Sequence, residues 1–425
     1  MKFKIAHAAI WSLGAMAGVI AQSSSWPNGP FHTDGKYIKN ASNDTIKIAG
    51  INWVAHGEVM IPEGLQHRSI EDIVSQMTSI GFNAIRLTYA TQMIDQMMEN
   101  FEKDITLEQA FHWALGTENG TKTLDQVLTR NPSFSKNTTR LEVFDAVAEE
   151  CARQQVYIHL DNHMSRGTWC CSGTDGNGWW GDRDFDVAKW TRGHAFLATH
   201  GKKWPALISI ALRNEVRKVL TDLHLRDEAY NWAGWYEYMR LGADAIHTAN
   251  EDVIVVFGGI SYGHVIDPVF RQEALTPGEK RFDRADFVGY GDSKIALEIH
   301  NYDNAKDSYG NIQYTLYFDG FQGMNATDAD TKDVYPVMLT EFGHAMEGEA
   351  YNESLTFRSV LRDVLPEAGL WFQWVLCGSY YYRMLRGERK DEETWGLLNA
   401  NWTAWRNEEF INDWLKPQIE ATLSR

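Results

Sequence analysis

Cysteine is scarce, with Cys151, Cys170, Cys171 and Cys377 the only four in 425 residues. That is too few for a fold built on disulfides, and their spacing matches no zinc finger. Proline occurs 10 times, and no Pro- or Ser-rich stretch after residue 30 marks off a second domain. Positive charge is also short: 40 Lys and Arg against 57 Asp and Glu leave a net −17 and a pI near 5.3. Such a balance argues against nucleic acid or an anionic membrane surface as the main partner and suits a neutral one. Past the first twenty residues, no apolar run is long enough for a membrane span. What the chain does have is 44% hydrophobic residues, 17 Trp and 17 Tyr, which excludes disorder, collagen and low-complexity architectures. Aromatic faces with a polar tip suit stacking on ligands.

The N-terminus places Lys2 and Lys4 before an apolar stretch from Ile5 to Ile20, followed by small residues and serines. This predicts a signal peptide over 1–21, a linker over 22–34, and a secreted, extracellular mature chain. Loss of the two lysines takes the charge from −17 to −19. Sequons at Asn40, Asn43, Asn119, Asn137, Asn325, Asn352 and Asn401 fit the surface loops of a glycoprotein. An oxidising compartment permits one disulfide: Cys170 or Cys171 with Cys377, or the adjacent pair with each other, with Cys151 as a buried thiol.

A small hairpin is predicted at 36–48. Beyond it, β-rich apolar runs at 46–54, 82–89, 155–162, 207–214, 252–259, 294–301, 335–342 and 369–375 alternate with helix-like stretches. Segments 69–81, 139–154, 185–201 and 226–250 repeat apolar residues at i, i+3, i+4. Eight such repeats, with strands too apolar to have a wet face, predict one closed parallel (β/α)8 TIM barrel over 35–425 rather than an open doubly wound sheet. The long connections 90–138, 260–293 and 303–333, after strands 2, 5 and 6, then lie on the C-terminal rim where barrel active sites form.

Strand 4 runs into Arg213, Asn214 and Glu215, and strand 7 into Thr340, Glu341, Phe342 and Gly343. Two carboxylates carried to the rim are what glycoside hydrolysis needs, one to protonate the leaving oxygen and one to attack the anomeric carbon. With these residues in place the chain resembles glycoside hydrolase family 5, the cellulase-like family of retaining β-glycosidases, from Gly35 to the last helix. The resemblance implies that Arg86 orients the nucleophile, that His163 is the strand-3 His, that Asn214 binds the sugar 2-hydroxyl, and that Glu215 is the acid/base. It further implies that His300 and Tyr302 are the strand-6 pair, with Tyr302 against the nucleophile Glu341, and that Trp374 is the platform under the sugar. Glu341 beside a cationic Arg86 stays ionised, and the retaining route needs carboxylates about 5 to 5.5 Å apart.

The Trp-, Cys- and Gly-rich stretch 166–182 looks like that of a plant- and fungal-type branch of the family, as does 131–134. Its Trp169, Trp179 and Trp180 are candidates for stacking on sugar rings, as is Trp53 at the end of strand 1. Two other classes compete. His159, Asp161 and His163 alternate on one strand face and would suit a metal hydrolase, but the further Asp or Lys partner is missing. A silent carbohydrate-binding barrel is the other, and both carboxylates are retained. The sequence therefore points to a monomeric enzyme without metal or organic cofactor, acting on a β-linked polysaccharide, by resemblance a β-1,4-glucan, with mannan, β-1,3-glucan and exo action as alternatives.

Overall fold

The computed structural model describes residues 26–424. The predicted signal peptide lies outside the described residues.

Eight parallel strands close into a barrel: β1 (Ile48–Trp53), β2 (Ala84–Ala90), β3 (Tyr157–Met164), β4 (Leu207–Ala211), β5 (Ile254–Gly258), β6 (Ile295–Asn301), β7 (Val337–Phe342) and β8 (Leu370–Gln373). Each pairs with its sequence neighbours, and β8 closes on β1. Every residue of all eight strands is buried. That is why the sequence shows largely apolar runs instead of alternation: one strand face fills the barrel and the other meets the helix layer.

The helices follow from local rules. Ile70–Ser79 starts where the Ser69 side chain accepts from the Asp72 N–H, and it buries Ile70, Ile73, Val74 and Met77 on one face. Arg140–Arg153 opens on a reciprocal capping box between Thr139 and Glu142. Val187–His200 follows the expected 185–201 segment. The 226–250 segment is helical only as Trp232–Ala249, because Asn231 caps it and the preceding Leu225–Ala229 is a separate π turn.

The insertion after β2 is built from three helices, Thr91–Glu99, Leu107–Leu115 and Thr117–Arg130. A fourth long rim segment, unmarked in the sequence, follows β8 and carries a small hairpin, Met384–Leu385 with Glu388–Arg389.

At the opposite end, the expected hairpin is a three-stranded antiparallel sheet of His32–Asp34, Tyr37–Lys39 and Thr45–Ile46. The predicted linker 22–34 is therefore corrected from residue 26 onward. Trp26 lies 5.2 Å from the Tyr157 ring, Phe31 is buried against the same ring, and residues 32–34 form a strand. Together they cover apolar side chains at the start of the barrel strands.

Candidate active site

Strand register brings the chemistry together before any side chain is considered. Asn52 on β1 stands beside Arg86 on β2, and His300 on β6 beside Glu341 on β7. Two strands carry an extra residue at the rim. On β3 the register slips between Tyr89–Asn162 and Ala90–Met164, leaving His163 as the bulged residue. On β7 it slips between Leu339 and Glu341, leaving Thr340. Bulges of this kind re-aim side chains next to active sites.

Arg86, fully buried, divides its guanidinium among three hydrogen-bond acceptors and one ion-pair partner. Nη1 donates to Glu341 Oε1 at 2.5 Å and to Asn52 Oδ1 at 2.9 Å, while Nη2 donates to Asn214 Oδ1 at 2.9 Å and lies 3.1 Å from Asp161 Oδ1. The other oxygen of Glu341 accepts from the Tyr302 hydroxyl at 2.8 Å. Burial alone would raise the Glu341 carboxyl, but the charges of His300 and Arg86 outweigh it and pull the group below the ordinary carboxylate value. Tyr302 is pushed well above its usual value, by burial first and then by the charges of Glu341 and Glu215, so its hydroxyl remains a donor.

Glu215 keeps its side chain 12% exposed, and its Oε1 lies 3.0 Å from His300 Nδ1. Its backbone is left-handed, with φ 44, a strained state that persists where surroundings enforce it. The Arg217 Nη1 hydrogen bond to its carbonyl, 2.7 Å, supplies one restraint. A carboxylate oxygen of Glu215, one of Glu341 and a ring nitrogen of His300 all lie within 4.8 Å of one another.

His163 donates from Nδ1 to Asp161 Oδ2 at 2.6 Å, which leaves Nε2 to accept from Asn214 Nδ2 at 3.3 Å. Burial, joined by Arg86, His300 and Arg213, holds it well below the usual imidazole value, so it is neutral. Asp161 thus accepts from His163 and pairs electrostatically with Arg86. His159 lies deeper, with Nδ1 on the Ser209 hydroxyl at 2.8 Å.

The cleft above these groups encloses about 160 Å³ and is lined by His56, His163, Trp169, Cys170, Cys171, Glu215, Tyr302, Glu341 and Trp374. Trp374 stacks on His163 at 5.7 Å with 16° between the planes. Trp169 packs against Trp374 and Tyr380, with the Arg383 guanidinium 4.8 Å from its ring.

Three of the candidate sugar platforms are corrected. Trp53, Trp179 and Trp180 are at most 1% exposed and do not line the cleft. The Trp53 indole donates to the Glu63 carbonyl at 3.0 Å. Trp179 packs on Tyr230, and Trp180 on Phe185, Trp190 and Tyr238, pinning the loop to the barrel wall.

Of the open cysteine pairings the structure takes the adjacent one. Cys170 and Cys171 are bonded to each other at the cleft wall, with their sulfurs 3.6 and 3.5 Å from Asn214 Nδ2, while Cys151 and Cys377 are buried thiols.

Sequence reasoning missed His56, which stacks on His163 at 3.9 Å and bonds Thr88 through Nδ1 at 2.8 Å. Its place three residues after the β1 end was the available signal. It also missed Tyr380 and Arg383, which stand on the unmarked segment after β8.

A family model for cellulase, glycosyl hydrolase family 5, matches residues 39–374. A glycosyl hydrolase 5 family protein of Chamaecyparis obtusa is 29% identical over 387 residues, covering 90% of this chain; the chain spans 65% of that relative's length. The major extracellular endoglucanase of Xanthomonas campestris is 23% identical over 392 residues, 88% of this chain and 68% of the relative. Among solved structures, the endocellulase of the archaeon Pyrococcus horikoshii superposes with a TM-score of 0.69 at 18% identity, covering 92% of this chain and 99% of that one.

Proposed function

The chain belongs to glycosyl hydrolase family 5, and on that footing we propose that it is a glycosyl hydrolase, a secreted endoglucanase. It cleaves a β-linked glucan, by preference β-1,4-linked, with net retention. The observation that carries this reading is the pairing of one clamped and one partly exposed carboxylate. Glu341 is held by Arg86 and Tyr302, and Glu215 approaches it within 4.8 Å, bonded to His300. So short a separation suits direct attack and leaves no room for the intervening water of an inverting mechanism.

In the first step a Glu341 oxygen attacks the anomeric carbon while the Glu215 proton passes to the departing glycosidic oxygen. Glu341, ionised and oriented, is the nucleophile. The glycosyl ester neutralises Glu341. Glu215, now a carboxylate, takes a proton from water as the water oxygen attacks the same carbon and Glu341 is released. Asn214 commits its Oδ1 to Arg86 and one Nδ2 hydrogen to His163, which leaves the second Nδ2 hydrogen for the sugar 2-hydroxyl, and Trp374 and Trp169 offer faces for sugar rings.

A glucan substrate is supported by the named endoglucanase and endocellulase relatives, the latter also solved with cellotetraose. Secretion is supported by the N-terminal pattern and by the extracellular Xanthomonas relative. The deciding experiment compares wild type and Glu341→Ala on β-glucans, mannans, xylans and aryl β-glycosides, with product anomers read by NMR. Release of the β-anomer from β-1,4-glucan by wild type alone is expected. Preference for mannan would replace the substrate, and activity in the variant would remove the nucleophile.

A further inference from the structure

Beneath the two carboxylates lies a chain of buried polar groups that the two-carboxylate mechanism does not use. Glu298, on the inward face of β6, is 2% exposed. Its Oε2 accepts from the Thr340 hydroxyl at 2.8 Å. The same Thr340 oxygen lies 3.1 Å from His300 Nε2, and His300 Nδ1 lies 3.0 Å from Glu215 Oε1. Thr340 reaches this place because it is the bulged residue of β7, between the registered pairs Leu339–Ile299 and Glu341–His300.

The hydrogens of this chain can be counted. Burial would raise the Glu298 carboxyl, but His159, Arg86 and His300 outweigh it and keep it below its ordinary value. Glu298 is therefore ionised and can only accept. A threonine hydroxyl has one hydrogen, and here it goes to Glu298. The Thr340 oxygen must then accept from His300, so Nε2 carries a hydrogen whether the ring is neutral or cationic. The one ring site left to gain or lose a proton is Nδ1, and it faces Glu215.

We infer that Thr340 is a positioning residue which, through Glu298, keeps a hydrogen on His300 Nε2 so that Nδ1, the one ring site left to gain or lose a proton, exchanges it with Glu215. The inference rests on the acid/base reading of Glu215 given above. In the resting enzyme one proton is shared along the 3.0 Å line between Glu215 Oε1 and His300 Nδ1. It leaves Glu215 for the glycosidic oxygen as that bond breaks and the bond from Glu341 to the anomeric carbon forms. In the second step Glu215 regains a proton from water, while the His300 Nε2 hydrogen stays on Thr340 throughout. The groups facing His300 are Glu215 after β4, Glu341 on β7, Arg86 on β2, His163 on β3 and, through Thr340, Glu298 on β6 itself. From the segment after β5 comes Gly263, at φ +79, where an added Cβ would press to 3.3 Å of the imidazole.

The test is Thr340→Val, which keeps the shape and removes the hydroxyl, with Thr340→Ser as the conservative control. Nitrogen-15 NMR of the histidine rings, taken without substrate, should show a protonated His300 Nε2 in wild type and in Thr340→Ser, and a changed tautomer or titration in Thr340→Val. Turnover of unactivated β-glucan by Thr340→Val should fall at least about tenfold. Its rate on a dinitrophenyl β-glycoside, whose leaving group needs no acid, should stay within about twofold, with a displaced basic limb of the pH profile. Thr340→Ser should recover both. A wild-type tautomer in Thr340→Val, or equal losses on both substrates with an unmoved pH profile, would overturn the relay. A wild type that turns over no β-glycoside would instead defeat the reading of Glu215, and the substrate-free tautomer would still decide whether the relay exists.

Discussion

Arg86 and Glu341, 255 residues apart in the chain, meet at 2.5 Å with the arginine side chain fully buried. The contact is one arm of a fork that also reaches Asn52, Asn214 and Asp161, so the group that clamps the proposed nucleophile also positions the residue preceding the proposed acid.

A lysine cannot reproduce that fork. Arg86→Lys should lose at least about tenfold in kcat with KM less affected, since a misoriented nucleophile is felt in the transition state. Arg86→Ala, which leaves two buried carboxylates without their partner, should cost about 3–5 kcal/mol of stability. Urea unfolding of both variants checks the split, and an Arg86→Lys enzyme with wild-type kcat would remove the orienting role.

The pH behaviour follows from two opposite shifts. Burial raises Glu341, but His300 and Arg86 outweigh it and the net shift is downward; burial lowers His300, but Glu341 and Glu215 outweigh it and the net shift is upward. A depressed carboxyl adds stability that is present above its unfolded value and lost as pH falls through the folded one. A raised imidazole adds stability that is present below its unfolded value and lost as pH rises through the folded one. The stability gap between wild type and Glu341→Gln should therefore close below about pH 4.5. The gap to His300→Asn should close as pH climbs above 6.5. Urea midpoints from pH 3 to 9 measure both, and gaps that stay constant with pH would contradict the assigned directions.

The tryptophans separate by location. Trp180→Ala removes a fully buried indole packed on four aromatic neighbours and should cost about 3–5 kcal/mol of stability. At a temperature where it stays folded, its KM should match wild type. Trp169→Ala, at the cleft wall, should raise KM by roughly three- to tenfold, the worth of about 0.5–1.5 kcal/mol of ring contact, with less loss of stability. Reversed effects would place the sugar platform on the wrong tryptophan.

Thiol counting tests the disulfide directly. The native protein should react with no thiol reagent, since Cys151 and Cys377 are buried and Cys170 and Cys171 are bonded to each other. Denatured without reductant it should expose two thiols, and after reduction four. Peptide mapping should assign the two thiols that react without reductant to Cys151 and Cys377. Because the bonded sulfurs sit beside Asn214 at the cleft, Cys170→Ser with Cys171→Ser should change KM more than thermal stability. Four free thiols on denaturation would dismiss the pairing.

The barrel was legible because strands buried on both faces are predominantly apolar, and the eight strands of this chain, taken together, are. The carboxylate positions were legible for a related reason: Glu215 and Glu341 each stand at the end of an apolar run, which carries them to the rim. Trp53, Trp179 and Trp180 misled because composition says that an indole is present, not which way it faces. The rim segment after β8 escaped notice because its irregular backbone has no period to detect, and its Tyr380 and Arg383 contribute only through the packing of Trp169.

The sequence by itself determined the fold class, the order of the strands and the residue types at each strand end, since these depend on local periodicity and on residue order. Only the tertiary structure decided that Arg86 serves three acceptors and an ion pair at once, that Cys170 pairs with Cys171, and that a bulge turns Thr340 toward His300. Those depend on strand register and on distances between residues far apart in the chain, and a single residue of slip in a parallel pair, invisible in the sequence, sends a side chain to the other face.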